Sequence, residues 1–295
     1  MMPFYGSFDH LREAVESVLG QSDPDWRLTV VDDVYPDLAP GQWVAAIDDP
    51  RVRYIRNETN LRPSRNYNKS VGIAESEFVV IMGCDDVMLP GYVARVHELI
   101  AQFPTADVIQ PGVSVIDENG RPSLPLADRV KGWYRFGGTG ARAYSGEQLA
   151  VSLLRGNWTY FPSLVWRREL LAKTGFRTDL DVVQDLAMLF EITKAGGTLV
   201  LDDEVVFSYR RHSSSVSAAT GPDGSKFRQE RTLFDEAVAA CTALGWSKAA
   251  GVARRHVTSR LNALTELPGA ILKNNTVGKS TLARHILRLP YRDNS

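Results

Sequence analysis

Two adjacent carboxylates, Asp85 and Asp86, directly follow the apolar run Phe78-Val79-Val80-Ile81-Met82. Carboxylates so close to a buried strand are costly unless solvated or paired with a cation. A hard divalent ion such as Mg²⁺ or Mn²⁺ takes oxygen ligands and bridges protein carboxylates to substrate phosphates. The pair equally suits a helix N-cap, since Met88-Leu89-Pro90 can open the next helix. Asp32-Asp33 stands in the same place after Arg27-Leu28-Thr29-Val30-Val31. A carboxylate there can accept hydrogen bonds from a base or a ribose, or close a turn with Tyr35-Pro36-Asp37.

Three further groups carry chemistry. Arg65, within the polar stretch Asn60-Leu61-Arg62-Pro63-Ser64-Arg65-Asn66, can reach a phosphate or a nearby carboxylate. Asp185 sits at the polar edge of Leu186, Met188, Leu189 and Phe190, where a lone carboxylate can deprotonate a hydroxyl. A carboxylate at a helix start also suits the helix dipole. Tyr209-Arg210-Arg211-His212, followed by Ser213-Ser214-Ser215, closes an extended segment. Arg210, Arg211 and His212 suit an anionic diphosphate, and His212 can also ligate a metal.

The elements that must position these groups alternate. Leu11 to Leu19 predicts an amphipathic helix, capped by Ser7 or Asp9. Strands are expected at Arg27–Val31, Arg51–Ile55, Phe78–Met82 and Asp107–Ile116, with helices at Ser64–Ala74 and Tyr92–Phe103. This order predicts an α/β fold with an open, mostly parallel sheet flanked by helices. Ligands bind such sheets outside the carboxyl ends of the strands, where both acidic pairs fall. Arg121 to Tyr144 reads as an irregular loop with a lid role. Helices follow at Ser145–Arg155, Arg167–Thr174 and Leu180–Ala195, then an extended stretch at Thr198–Tyr209, and helix from about Lys226 onward.

Composition narrows the partners. The 295 residues are 44% hydrophobic and 23% charged with a net charge of -1, so no nucleic-acid partner is indicated. Cys84 and Cys241 are isolated, which fits a reducing cytosol rather than a disulfide scaffold. No apolar run reaches the roughly 20 residues needed to span a bilayer, and no signal peptide opens the chain. A soluble protein is therefore expected. After Gly245 the sequence is basic: Lys248, Arg254, Arg255, Arg260, Lys273, Lys279, Arg284, Arg288 and Arg292 face only Glu266 and Asp293. That surface is either a solvated helical face or one attracted to anionic lipid heads or a lipid pyrophosphate. Val277-Gly278-Lys279-Ser280-Thr281 lacks the earlier Gly and the strand of a phosphate-binding loop. Neither a GxGxxG nor a GxSxG motif is present.

Taken in order, the pieces resemble glycosyltransferase family 2, inverting enzymes of the GT-A fold, over about residues 2–217. Pro3-Phe4-Tyr5-Gly6 is similar to the family's Pro-x-Tyr-Asn turn, and Ser17 to Gln21 to its Ser-x-x-x-Gln helix end. Val30-Val31-Asp32-Asp33 resembles its Val-Asp-Asp segment, and Asn60 with Arg65-Asn66 its Asn…Arg-Asn stretch. Asp85-Asp86 looks like the end of its Asp-x-Asp-Asp run, Gln184-Asp185 like its Glu-Asp pair, and Tyr209 to His212 like its closing Tyr-Arg-x-His.

The resemblance implies a metal-dependent, hexosyltransferase-type enzyme of cell-wall or polysaccharide biosynthesis. Its donor is a nucleotide diphosphate sugar, and its acceptor a glycan, polysaccharide or lipid-linked sugar. It implies donor contacts at Pro3, Phe4, Tyr5, Asp33, Arg65 and Asp85, and diphosphate contacts at Arg210, Arg211 and His212. It places Mg²⁺ or Mn²⁺ at Asp85 and Asp86 with His212, and the catalytic base at Asp185. Trp158, Tyr160 and Trp166 offer an aromatic platform for an acceptor sugar, or ordinary core packing.

Departures are Gly83 for the first Asp of the metal motif, Gln184 for Glu, Gly6 for Asn and Leu61 for Gly. Few apolar residues precede Pro3, so a very short first strand, or a start placed too far downstream, is expected. Residues 1–225 are read as the GT-A domain and 226–295 as a C-terminal helical extension. The expected location is cytoplasmic, with peripheral contact at the inner face of the membrane through the basic helices. The alternatives are a sugar nucleotidyltransferase on a similar sheet and an inactive nucleotide-sugar-binding protein.

Overall fold

The computed structural model describes residues 1–212, 223–272 and 275–291. Ser213-Ser214-Ser215, Lys273, Arg292 and Asp293 lie outside the described residues.

Strands β1 (Met2–Phe4), β2 (Leu28–Asp32) and β3 (Val52–Arg56) pair in parallel, Met2 opposite Val30 and Leu28 opposite Val52. A second set comprises β4 (Phe78–Val80), β5 (Val87–Met88), β6 (Val108–Ile116), β7 (Arg142–Ser145), β8 (Val165–Arg167) and β9 (Thr198–Arg210). Its order is β4-β8-β6-β9-β5, with β7 also on β9. Met1 joins the two sets: its ammonium donates to Val80 O at 2.9 Å and its carbonyl accepts from Met82 N–H at 3.0 Å. The central sheet is mostly parallel, as the alternating sequence predicts. The antiparallel members are the short strands β5, β7 and β8.

The first strand is indeed short, yet it is central: Met2 and Phe4 are fully buried. Helix α1 (Phe8–Leu19) turns Leu11, Ala14, Val15 and Val18 into the core, and Ser7 caps it by accepting from the His10 N–H. With α2 (Ala39–Ala45), α3 (Pro63–Ile73) and α4 (Tyr92–Gln102) it flanks the sheet. Alpha-helix α2 was hidden in sequence by Pro40 and Gly41, although proline is well tolerated in a first helical turn.

Residues 121–144 are not an irregular loop. They hold α5 (Leu126–Tyr134) and β7. Leu126, Val130, Trp133 and Tyr134 recur on α5 at helical spacing, and side-chain bonds hold it: Asp128 accepts from Arg211, Lys131 donates to Thr159 O and Ser152 to Tyr134 O. Beyond it lie α6 (Gly146–Arg155), α7 (Arg168–Thr174) and α8 (Gln184–Lys194). A β-bulge in β6 brings Gly112 so close to Glu204 O that a Cβ would stand 2.4 Å away, which excludes any larger residue there.

Four helices complete the described chain: α9 (Ser225–Ala243), α10 (Ser247–Arg255), α11 (Val257–Leu272) and α12 (Thr276–Leu287). Val277 to Thr281 lies inside α12, so it forms no phosphate-binding loop. Helix α9 is tied to the segment ahead of α8. Gln229 Oε1 accepts from Val182 N–H at 2.9 Å, and Arg177 pairs with Glu236.

Candidate active site

The site forms where the ends of β1, β2, β4 and β9 meet α5 and the first turn of α8. The chain leaves β4 and turns sharply through Gly83, and the carboxylates of Asp85 and Asp86 fold back onto it. A Cβ on Gly83 would stand 2.4 Å from Asp86 Oδ2 and 2.8 Å from Asp85 Oδ1. Any side chain at position 83 would have to displace both carboxylates from this arrangement.

Asp85 Oδ2 lies 2.5 Å from His212 Nε2. That hydrogen bond raises the His212 imidazole above its ordinary value, against an opposing effect of burial. Asp86 is buried. Its Oδ1 accepts from the Arg210 N–H at 2.8 Å, and its Oδ2 has no hydrogen-bond partner among the described residues. Burial first, then the neighbouring Asp85 charge, pushes its carboxyl well above the usual range. Two converging carboxylates, one with an orphaned buried oxygen, fit a cation. No cluster of three or more His, Cys, Asp or Glu among the described residues is disposed to hold a metal by itself. Any such ion must take further oxygens from its ligand.

Arg210 differs from expectation. Its side chain is buried, and its guanidinium is committed to Asp85 O, Glu13 and the carbonyls of Asp117 and Glu118. It braces the Asp85–Asp86 loop from within the core, with its side chain only 1% exposed. Arg211 forks onto Asp128 at 2.8 and 3.0 Å, so α5 engages its guanidinium.

Asp185 opens α8. Its Oδ1 accepts from Leu186 N–H and its Oδ2 from Asn157 Nδ2, both at 2.7 Å. Burial raises its carboxyl above the usual range, while the Asn157 and Leu186 bonds oppose the rise. Behind it runs a polar chain. Asn157 Oδ1 accepts from Thr159 Oγ1 at 2.7 Å, and the Thr159 carbonyl accepts from Lys131 Nζ at 2.9 Å. Burial pushes the Lys131 ammonium down to about 8. Sequence reasoning missed Asn157, Thr159, Lys131 and Asp128, because nothing in their local pattern marks them; the fold sets Asn157 on Asp185, Lys131 on the Thr159 carbonyl and Asp128 on Arg211.

Tyr67 connects the two halves. Burial first, then its neighbours Cys84, Asp185 and Asp85, raises its hydroxyl, and its ring packs on Phe161 and Phe176. Asp33 joins the same rim. Its N–H reaches Phe4 O at 2.9 Å, and the next residue, Tyr5, hydrogen-bonds Cys84 through its backbone. The Asp33 carboxylate itself holds the following loop, accepting from Asn57 Nδ2, Leu61 N–H and Arg62 N–H.

The remaining site residues separate by exposure. Tyr5 is open, its ring edge-on to Tyr35, whereas Phe4 is buried and Pro3 lies within β1. Arg65 is exposed in the first turn of α3. Trp158 and Trp166 are fully buried, and Trp158 Nε1 donates to Ser152, so both belong to the core rather than to an acceptor platform. Tyr160 is half-buried. Its hydroxyl donates to Asp128 Oδ1 at 3.1 Å, and its ring lies 4.3 Å from Lys131 Nζ and 5.2 Å from the Tyr209 ring.

Residues 1–167 match the model described as Glycosyl transferase family 2. The chain belongs to that family. A succinoglycan biosynthesis protein, ExoO of Rhizobium meliloti, is 33% identical over 72% of this chain and 60% of its own length. A glycosyltransferase of Methanocaldococcus jannaschii is 28% identical over 60% of this chain. The chain thus spans 60% and 57% of the lengths of these two relatives. Glycosyltransferase GlyG of Streptococcus pneumoniae is 23% identical over 83% of this chain and 80% of its own length.

Among solved structures, S. aureus TarS 1-349 in complex with UDP-GlcNAc superposes with a TM-score of 0.63. The match covers 99% of this chain and 92% of that one at 16% identity. Mannosyltransferase PcManGT from Pyrobaculum calidifontis, in complex with GDP-Man and Mn²⁺, gives 0.58 over 97% and 83% at 16% identity. These likenesses establish the GT-A fold of this family 2 chain.

Proposed function

We propose that this chain moves a sugar from a nucleotide diphosphate sugar onto an acceptor hydroxyl in one inverting displacement. The observation that carries the reading is geometric: the Asp85 and Asp86 carboxylates converge on Gly83, His212 meets Asp85, and Asp86 Oδ2 is buried without a hydrogen-bond partner among the described residues. In this reading Asp85 seats a phosphate-bound cation and Asp185 receives the acceptor proton. Family membership supports it, as do the UDP-GlcNAc and the GDP-Man with Mn²⁺ held by the two structural neighbours.

Asp185 takes the proton of the acceptor hydroxyl. The acceptor oxygen bonds the anomeric carbon from the face opposite the donor's diphosphate, the carbon–oxygen bond to that diphosphate breaks, and the nucleoside diphosphate leaves. Burial makes Asp185 a stronger base than an exposed aspartate, and Asn157 holds its carboxylate in place. Asp85 and His212, with Asp86 behind them, would hold Mg²⁺ or Mn²⁺, which when bound neutralises charge on the diphosphate. Tyr5, beside Tyr35, offers an aromatic face to the base, and Pro3, Phe4 and Asp33 shape that end. Arg65 faces the donor from α3, and Arg211 lines the diphosphate side from its seat on Asp128. Tyr160, rather than Trp158, offers the acceptor an aromatic surface.

The acceptor is a glycan, a polysaccharide or a lipid-linked sugar in polysaccharide assembly, a reading ExoO supports. Residues 1–225 form the transferase unit and 226–295 a helical extension, with the reaction on the cytoplasmic side. Among the described residues no helix is long and apolar enough to cross a membrane. The test is to screen nucleotide sugars with Mn²⁺, follow nucleoside diphosphate release, and read the product anomer by NMR. Release with inversion is expected. A retained anomer excludes the single displacement, and released pyrophosphate points to a nucleotidyltransferase.

A further inference from the structure

Helix α11 is apolar on two opposite sides. One side buries Ser259, Ala263 and Ala270, the alanines against Phe227 of α9 and Leu282 of α12. The other presents Val257, Leu261, Leu264 and Ile271 at steps of four, three and seven, a continuous helical stripe, with Leu272 beside it. Each of these is half or more exposed, and Leu272 is 87% exposed. Val277 and Leu287 of α12 and Leu289 just beyond it add to the exposed apolar surface of this end. A helix apolar on two sides is normally covered on both.

The charge around the stripe says what covers it. Nine Lys and Arg after Gly245 face two acidic residues, whereas the whole chain has a net charge of -1. Exposed Arg254 and Arg255 stand immediately ahead of α11, and exposed Arg288 follows α12. Glu266 is the one acidic residue after Gly245 among the described residues. A second copy docking through a two-fold axis would set this cationic surface against itself. An anionic surface would not. An exposed apolar helical stripe in so basic a segment matches the interface of an anionic bilayer, with the helix lying in the plane of the headgroups. It does not span, since no helix among the described residues is long and apolar enough.

We infer that α11, with the exposed end of α12, docks this protein on an anionic membrane surface. The inference does not rest on sugar transfer, and its test needs neither donor nor acceptor. The full chain is sedimented with phosphatidylcholine vesicles and with vesicles containing 30% phosphatidylglycerol, at low and high salt. Binding is expected only to the anionic vesicles and should fall as salt rises. The paired changes Arg254→Gln and Arg255→Gln should weaken it about fivefold per cation removed. Leu261→Gln with Leu264→Gln, on the exposed stripe, should weaken it at least about tenfold, with circular dichroism and the melting temperature unchanged. Equal binding to both vesicle types, or no binding, overturns the inference. So does a dimer in sedimentation velocity that the leucine variants dissolve while vesicle binding stays unaffected.

Discussion

His212 Nε2 stands 2.5 Å from Asp85 Oδ2, a contact that joins the end of β9 to the loop after β4 across 127 positions of chain. The two side chains fix each other, so removing either should loosen the cation end of the cleft. Asp85→Ala should abolish the Mn²⁺ dependence of donor binding, read by calorimetric titration of UDP- or GDP-sugars with and without the metal. His212→Ala should weaken metal affinity about 10–100-fold while leaving the protein folded. An unchanged Mn²⁺ titration in Asp85→Ala removes the carboxylate from that role.

Gly83 offers a sharper test, because the family pattern and the geometry pull apart. Placing Asp there would restore the usual motif, yet any Cβ collides with the carboxylates of Asp85 and Asp86. Gly83→Ala should therefore destabilise the fold by about 1–3 kcal/mol in urea titrations and weaken donor binding in Mn²⁺. Gly83→Asp should do no better than Gly83→Ala. A more active Gly83→Asp enzyme would show that the carboxylates move freely and that the glycine is not required.

Much of this site was legible in sequence for a simple reason. A run such as Phe78 to Met82 must be buried, so the acids just after it must emerge at a sheet edge. The same reasoning failed for Arg210, which looks like a free cation at a strand end. Only the fold brings Glu13, Asp85 O and Glu118 O around its guanidinium. It failed for Trp158 too, since an indole suits a sugar platform and a core equally well. Helix α5 was missed although Leu126, Val130, Trp133 and Tyr134 recur at helical spacing, because it is nine residues long and set among Gly, Pro and Arg.

Asp185→Asn should abolish transfer while donor binding stays nearly intact, and retained turnover would remove it as the base. Its pH behaviour is a finer probe. Burial raises the Asp185 carboxyl, so the acidic limb of kcat/KM should lie above that of an ordinary aspartate. The Asn157 bond opposes that rise by favouring the charged form. Asn157→Ala should move the acidic limb to still higher pH, with activity recovering in alkaline buffer. A limb that stays in place would show that Asn157 does not set the basicity of this carboxylate.

The two aromatics once equivalent in sequence should now behave differently. Trp158→Ala opens a cavity in the core and should cost about 3–5 kcal/mol of stability. Tyr160→Phe removes one hydroxyl while Arg211 keeps its fork on Asp128, so the melting temperature should scarcely change. Tyr160→Ala also removes the aromatic face, so its acceptor KM should rise about fivefold, the value of one aromatic contact. An unchanged KM would place the acceptor elsewhere.

The C-terminal helices should lose stability in mild acid. His256 and His285 are buried with rings 5.2 Å apart. His285 Nε2 lies 2.7 Å from Ser259 Oγ and Nδ1 lies 2.9 Å from Tyr291 Oη, while His256 Nδ1 faces Ala253 O. Arg231, Arg260 and Arg288 act on the pair, and Glu230 reaches it through Ser259, with Lys226 beside Glu230. Burial first, then His256 and the arginines, lowers His285 to about 3; burial likewise lowers His256. Because the unfolded chain binds these protons more readily than the folded one, unfolding gains as pH falls below the ordinary histidine value. The loss should begin near pH 6.5 and continue toward about 3. Urea midpoints from pH 7.5 to 4 should fall more steeply for the natural protein than for a His256→Gln, His285→Gln double variant. Parallel slopes would mean that the pair accepts protons in the folded state.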